Sequence, residues 1–320
     1  MWKQKNARSR QKSVYHLKNW PAYDRSLVQR YSLTVWIAED IDQMWPYPGP
    51  KQRGGQYEYS HQAIEAMLKL KELFHLTNRG VEGFVRSLFQ LLKVNLHVPD
   101  HTTLSRRSVD LEVRLPRRAQ GQLNIVVDSS GLKLYGEGEW KVRMHGYSKH
   151  RTWRKLPLMV DIQTREIQAV DLTGAGGHDA QSVPGLLEQI EQPIASLTGD
   201  GGYDKRLTYQ AVQARAPTAR LAIPPRRNAR IWQHGNSPAA ALPRDQNLRF
   251  IRKHGRQAWK EHMDYHRRSL AETSMFRFKT LFGEHLRNRL LATQNTQVRI
   301  RAAIMNQMTH LGMPDSYLSA

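Results

Sequence analysis

The sequence has no cysteine and no long apolar run, and it has far fewer acidic than basic residues. The absence of cysteine from its 320 residues excludes disulfides and cysteine-ligated zinc, and it is compatible with a cytoplasmic location. No apolar stretch approaches the roughly 18 residues that cross a bilayer, and no signal peptide is visible. We therefore expect no insertion into a membrane.

The excess of positive charge indicates the class of partner. Lysine and arginine number 49 against 28 aspartates and glutamates, which gives a formal net charge of +21. Such a balance is typical of proteins that bind a polyanion, usually nucleic acid. A membrane surface is the competing polyanion.

The first 57 residues predict a basic arm followed by a linker. Residues 1–20 are basic and polar, and residues 45–57 are rich in proline and glycine. The arm either contacts DNA or is a disordered tail.

Residues 58–116 predict an α-helical DNA-binding region. Ser60, Thr77 and Asp100 each precede a helical pattern that they can cap. The last of the three short helices carries Arg106 and Arg107, which suits a helix-turn-helix whose final helix enters the major groove. A plain helical bundle with a charged exterior is the alternative.

Residues 121–320 predict an α/β domain in which a mixed five-stranded sheet has flanking helices. The first strand, 123–128, ends in Asp128, and we expect a break at Ser129–Gly131 before a returning strand at 132–135. The other strands are expected at 156–162, 167–172, 194–199 and 220–223.

Two aspartates are candidates for chemistry because each follows a strand. Asp128 follows the first strand and Asp200 follows the strand at 194–199, so both can point into a shared crevice. The alternative for any single aspartate is a turn former or a helix cap. We assign Asp161 and Asp171 to turns, and Asp204 to the cap of a helix over 205–214.

A helix predicted from Tyr265 to Lys279 carries four polar residues on one stripe. Tyr265, Arg268, Glu272 and Lys279 are separated by three, four and seven residues, which places them on one face. A carboxylate between two cations and a phenol suits a metal ion beside phosphate. The alternative is a solvated face on which Arg268 and Glu272 form an ordinary i,i+4 pair.

Between the last strand and this helix, residues 224–256 predict a basic insertion. We expect it to contact DNA through Arg226 and Arg227, with partial disorder as the alternative. The other basic residues that we assign to this surface are Arg230, Arg244, Arg249, Arg252 and Lys253.

These motifs resemble those of DDE transposases from bacterial insertion sequences. The spacing Tyr-x2-Arg-x3-Glu-x6-Lys from Tyr265 to Lys279 is similar to the signature around the catalytic glutamate of that group. The segments VVDSSGLKLYG and GDGGYD resemble the contexts of its two aspartates, and NWPAYDRSL resembles the start of members of the insertion-sequence-five family. Many members have alanine where Gly202 stands, and we expect that difference to be harmless.

The resemblance implies a ribonuclease H-like catalytic domain behind the helical region. It implies that Asp128, Asp200 and Glu272 are catalytic and hold two Mg²⁺ ions, for which Mn²⁺ can substitute. Hard carboxylate oxygens are the ligands that such ions need in phosphodiester chemistry. Tyr265, Arg268 and Lys279 are then expected to contact DNA.

The implied activity is DNA transposition. The protein would bind the inverted repeats of its element, cleave at the element ends and transfer the 3′ ends to target DNA. It would act as a homodimer or larger assembly in the bacterial cytoplasm, associated with the nucleoid. The alternatives are a ribonuclease H-like nuclease without strand transfer and a domesticated, non-catalytic DNA-binding protein.

Overall fold

The computed structural model describes residues 15–37, 40–50, 53–134, 153–233 and 241–318. Most of the predicted basic arm, Tyr135 at the end of the predicted returning strand, and residues 234–240 of the basic insertion lie outside these ranges. Among the described residues, no helix combines the length and apolar character that crossing a membrane requires.

The described residues contain nine β-strands. The strands are β1 (Tyr15–Leu17), β2 (Leu123–Leu134), β3 (Trp153–Asp161), β4 (Ile167–Val170), β5 (Thr173–Gly174), β6 (Ile194–Thr198), β7 (Arg220–Ala222), β8 (His285–Leu286) and β9 (Ser316–Leu318).

Helices precede the main sheet, connect its strands and follow it. The α-helices are α1 (Trp20–Gln29), α2 (Leu33–Trp36), α3 (Ile41–Met44), α4 (His61–Leu73), α5 (Asn78–Leu91), α6 (His101–Arg107), α7 (Val183–Glu188), α8 (Arg206–Arg215), α9 (Pro243–His262), α10 (Ser269–Phe282) and α11 (Leu291–Leu311). Single 3₁₀ turns lie at Asp179–Ser182, Gly201–Tyr203 and Tyr265–Arg268.

The main sheet is mixed, with strand order β4-β3-β2-β6-β7. The first three strands of that order are antiparallel, whereas β2, β6 and β7 run parallel. The five strands on this path correspond to those predicted, and the two-residue strands β5 and β8 extend the sheet to seven. Because side chains alternate across a strand, Ile125 and Val127 face one core while Val126 and Leu132 face the other.

The predicted break at Ser129–Gly131 is wrong, because β2 continues without interruption to Leu134. The antiparallel partner β3 holds the whole segment, from the pair Ile125–Asp161 to the pair Lys133–Trp153. Serine and glycine there stay extended because the ladder satisfies their backbone groups, which overrides their preference for turns.

The N-terminal helices share one hydrophobic core with the sheet. Ser60, Thr77 and Asp100 cap α4, α5 and α6 through their side chains, as predicted. The buried faces of these helices join α10, α11 and one face of the sheet in a continuous cluster. The position of α6, and of Arg106 and Arg107 on it, is therefore fixed relative to the sheet.

The basic insertion is largely helical in the part that the structure describes. Residues 243–256, predicted as loop or disorder, lie in α9, which has a non-helical kink at Gly255. Gly255 has φ 87°, a conformation that glycine adopts without a steric cost. Pro243 lies at the start of α9, where its missing N–H leaves no hydrogen bond unmade.

Arg244 of this region and Asp204, which lies before it in the sequence, have roles that the sequence did not predict. Arg244, assigned above to DNA, is 4% exposed, and its Nε lies 2.7 Å from Oδ1 of Asp204. Its guanidinium also stacks 3.9 Å from the ring centroid of Trp232. Asp204 does not cap α8, whose N-cap is Lys205 without a side-chain bond. Both predictions are wrong because the two residues pair across 40 positions of sequence.

Candidate active site

Asp128 lies within β2, opposite Leu158 of β3. On its other side, the pairing with β6 ends at Val126 and Thr198, so no strand among the described residues pairs with β2 at Asp128 on that side. The side chain is half-buried, and its Oδ1 accepts a 2.9 Å hydrogen bond from the Ser129 N–H. The sheet therefore presents this carboxylate at an opening between two strands.

Asp200 reaches the same opening from β6. Thr198 pairs with Val126 in the parallel ladder between β6 and β2. Asp200 lies two residues after Thr198, just as Asp128 lies two residues after Val126. Its Oδ1 accepts a 2.8 Å hydrogen bond from the Gly202 N–H and caps the 3₁₀ turn Gly201–Tyr203. The register of one parallel pair thus brings both predicted aspartates to one edge.

Glu272 lies in the first turn of α10, and its side chain is 54% exposed. The predicted single helix from Tyr265 is instead a 3₁₀ turn, Tyr265–Arg268, that runs into α10. Asp264, in the left-handed region at φ 51°, separates α9 from this turn.

Arg268 connects Glu272 to the sheet. Its Nη2 donates a hydrogen bond to Oε1 of Glu272, and its Nη1 lies 3.8 Å from Oδ2 of Asp128. One guanidinium thus faces two of the three predicted catalytic carboxylates. Arg268 is itself only half-buried, so solvent and ligands can reach it.

The three acids influence one another electrostatically. Burial raises the pKa of the Asp128 carboxyl above its usual value, and the negative charges of Asp200 and Glu272 add to that effect. The Ser129 N–H and the Arg268 guanidinium act in the opposite direction. The negative charges of Asp200 and Glu272 therefore both act on Asp128, which supports the grouping of the three acids at one site.

Tyr265 and Lys279 have different relations to this group. Tyr265 is half-buried against the Trp259 ring, and burial raises its pKa, as do the charges of Asp200 and Asp128. Lys279 instead lies 3.6 Å from Oε1 of Glu284. The structure thus brings Tyr265 and Arg268 to the acids, whereas Lys279 pairs at the far end of α10.

Four further predicted DNA contacts lie on α6 and in the turn after β7. Arg106 is exposed on α6, while Arg107 donates to the Tyr59 carbonyl at 2.9 Å and stacks 4.1 Å from the Tyr57 ring centroid. Arg226 and Arg227 are exposed in the turn after β7.

The sequence did not single out a fourth carboxylate beside the site. Asp179 begins a 3₁₀ turn, and a Cβ on Gly202 would lie 3.4 Å from its Oδ2. Nζ of Lys155 in β3 lies 3.1 Å from Oδ1 of Asp179 and donates a 2.7 Å hydrogen bond to the Gly177 carbonyl. Nothing in the local sequence distinguishes Asp179 from an ordinary turn residue.

Gly202 contacts the site more closely than expected. A Cβ added there would lie 2.9 Å from Oδ1 of Asp200, which is closer than side chains normally approach. Alanine at this position would therefore require the end of the Asp200 side chain to shift, and the expectation that alanine is harmless stays a prediction.

The donor set fits a divalent cation in its chemistry. Among the described residues, no three Asp, Glu or His side chains converge closely enough to enclose a metal ion. However, Asp128 and Glu272 already face one shared positive charge, that of Arg268. Carboxylate oxygens that face a common cation are the hard ligands that Mg²⁺ or Mn²⁺ prefers.

Comparisons with known proteins found two family models and a solved structure that match this chain. Two family models match the chain, both described as "Transposase DDE domain", one over residues 28–137 and the other over residues 119–307. A solved structure titled "Cryo-EM structure of piggyBac transposase synaptic complex with hairpin DNA" is 10% identical, with a TM-score of 0.36, over 89% of this chain and 75% of that chain. Neither family model names the insertion-sequence-five family, so that assignment stays a prediction. The second family model covers more than half of the chain, which therefore belongs to the DDE transposases.

Proposed function

We propose that this DNA transposase cleaves phosphodiester bonds at the ends of its element with Asp128, Asp200 and Glu272, and then joins the free 3′ ends to target DNA. The observation that carries the proposal is the register of β2 and β6, which brings two aspartates to one edge where Arg268 also faces Glu272. The sheet order and strand directions support a ribonuclease H-like catalytic domain.

Divalent metal ions are generally used by domains of this family, and we propose two Mg²⁺ ions held by Asp128, Asp200 and Glu272. When bound, such ions would activate the attacking water or 3′-hydroxyl and stabilise the leaving oxygen. Asp128 and Asp200 are oriented for this by the amides of Ser129 and Gly202, which fix one oxygen of each carboxylate.

Arg268 has two tasks in this proposal. It balances the charge of Asp128 and Glu272 in the absence of other cations. With DNA present, its planar fork suits two oxygens of a phosphate beside the cut and so holds the strand in line for attack. Tyr265 supports it, because the packing of its ring on Trp259 fixes the start of the turn that carries Arg268.

The helices α4 to α6 are proposed to read the inverted repeats, with α6 as the helix that enters the major groove. Arg106 is the exposed basic residue for that role. Arg226 and Arg227 are proposed to contact phosphates beside the active site. Cleavage of two ends together implies a homodimer or a larger assembly on DNA.

Strand transfer on defined DNA tests this proposal. Purified protein is incubated with duplexes that carry an element end and a labelled target, with Mg²⁺, with Mn²⁺ and with a chelator. We expect metal-dependent cleavage at the end followed by joined product. Cleavage without joining would instead identify a nuclease, and binding without cleavage would identify a non-catalytic DNA-binding protein.

A further inference from the structure

A cluster of three arginines lies on the side of α10 that faces away from Asp128, Asp200 and Glu272. A pocket there is lined by Arg30 at the end of α1, Arg165 in the β3–β4 turn and Arg277 of α10, together with Met313 and Pro314. Three segments far apart in the sequence thus direct guanidinium groups toward one space. None of these residues belongs to the motifs that define the active site.

The three arginines lack an acidic partner. Among the described residues, no carboxylate lies within 4.0 Å of any of them, whereas Arg244 and Arg301 have close carboxylates. Their bonds are to neutral oxygens instead: Arg30 Nη2 to the Gly312 carbonyl at 3.1 Å, Arg165 Nη1 to the Pro314 carbonyl at 3.4 Å and Arg277 Nη2 to Thr309 Oγ1 at 3.3 Å.

The convergence of these charges has an electrostatic cost. Burial lowers the pKa of Arg277 to about 10, and the positive charges of Arg30 and Arg165 contribute to that shift. Arg30 is 9% exposed, and its buried Nε has no hydrogen-bond partner in the described part of the chain. Like charges that gather without a counter-charge call for an anion from outside the chain.

We propose that Arg30, Arg165 and Arg277 form a binding site for phosphate groups of the DNA strand that flanks the cut. This rests on the proposed cleavage at Glu272, because α10 carries both sites. Arg277 lies about 7.5 Å farther along the helix axis than Glu272 and about 140° around it. Between them, Phe276 is 70% exposed at the rim of the pocket, where its ring can pack on a sugar or base of the same strand.

Charge-removing variants test the pocket in two assays. Arg277→Gln and Arg165→Gln each remove one charge from it, and the control Arg25→Gln removes one from an exposed position of α1 outside it. The first assay compares melting temperatures in inorganic phosphate and in chloride at matched ionic strength. The second measures the salt dependence of binding to a random-sequence 20-base-pair duplex without divalent metal.

Phosphate should raise the melting temperature of the wild type and of Arg25→Gln by about 2 °C at ten times its Kd. The two pocket variants should lose that increase. Each should also bind the duplex about threefold to tenfold more weakly and lower the slope of log K against log salt by about one, because one phosphate contact is lost. Arg25→Gln should change neither quantity by as much.

Each other outcome has a defined meaning. Equal effects of Arg277→Gln, Arg165→Gln and Arg25→Gln would overturn the pocket as a site. Loss of the phosphate effect with unchanged duplex binding would show that the pocket takes free phosphate and would overturn its assignment to DNA. If the wild type bound no duplex at all, the proposed function would fail, while the phosphate assay would still test the pocket by itself.

Discussion

Two arginine–carboxylate groups in this protein are chemically alike and placed very differently. Arg301 of α11 is 1% exposed, and its Nε donates to Glu72 of α4 at 2.7 Å. Glu72 also accepts a hydrogen bond from the Gln297 side-chain amide, and Nη2 of Arg301 donates one to the His285 carbonyl. Arg268, in contrast, lies between Asp128 and a Glu272 side chain that is 54% exposed.

The difference separates a structural pair from a reactive one. In the interior, the Glu72 oxygens accept hydrogen bonds from fixed donors, so this pair, which we call the closed group, fixes α4 against α11. At the sheet edge, the Glu272 carboxylate is exposed to solvent, so a ligand can reach it and Arg268 can turn to another anion. Asp204 and Arg244 repeat the closed arrangement beneath the turn after β7.

The largest expected effect follows from removing an acid at the sheet edge, where Asp128, Asp200 and Glu272 together with Arg268 form what we call the open group. Asp128→Ala and Asp200→Ala should each lower the rate of end cleavage by at least roughly a thousandfold, because each removes a ligand of the reacting metal ions. Relief of charge crowding should leave the melting temperature unchanged or slightly higher. Single-turnover cleavage at saturating DNA measures the rate, and calorimetry measures stability. An Asp200→Ala protein that cuts at a comparable rate would mean that another acid is catalytic.

An equivalent change in the closed group should affect the fold instead. Glu72→Ala leaves the Arg301 charge buried and unpaired, which should lower the free energy of unfolding by about 3–5 kcal/mol. Denaturant titration measures this, with Glu272→Ala as the matched control, for which we expect almost no loss. Similar losses from the two variants would remove the distinction between the groups.

Arg268→Lys should sharpen the comparison because it keeps the charge and removes the fork. We expect cleavage to fall by about tenfold to a hundredfold, since lysine cannot hold two oxygens in one plane. Lys279→Arg should change the rate less than threefold, on the order expected for a point charge that pairs with Glu284. A near-wild-type rate for Arg268→Lys would show that it only pairs with Glu272.

The smallest expected effects concern DNA affinity. Arg226→Ala should weaken binding to end and random duplexes equally, by a few-fold, because a phosphate contact carries no sequence information. Arg106→Ala should instead reduce the ratio of end to random affinity. Filter binding over a salt series measures both quantities. Equal loss of discrimination from the two variants would contradict the assignment of sequence reading to α6.

Sequence patterns correctly predicted those features of the fold that depend on residues adjacent in the sequence. The caps at Ser60, Thr77 and Asp100 and the strands that precede Asp200 follow from local propensity and alternation. The continuous β2 did not, because the β3 ladder determines whether Ser129–Gly131 turns or extends.

In the candidate site, as in the fold, local features were predictable and long-range pairs were not. The position of Asp128 and Asp200 at one sheet edge was predictable, because each was expected to follow a strand. The Asp204–Arg244 pair and the Lys155–Asp179 pair could not be predicted, because each depends on which distant segments the fold brings together. Burial also decides whether an arginine is free for DNA, and no local signal separates Arg244 from Arg226.

The most direct test of this account compares isosteric changes in the two groups. Glu272→Gln and Glu72→Gln each remove one negative charge and keep the side-chain shape. For both, the cleavage rate per folded molecule is measured with Mg²⁺ at a temperature where both are folded. Glu272→Gln should lose cleavage with its melting temperature unchanged, while Glu72→Gln should melt earlier and cut at the wild-type rate. Wild-type cleavage by Glu272→Gln would contradict the assignment of chemistry to the open group.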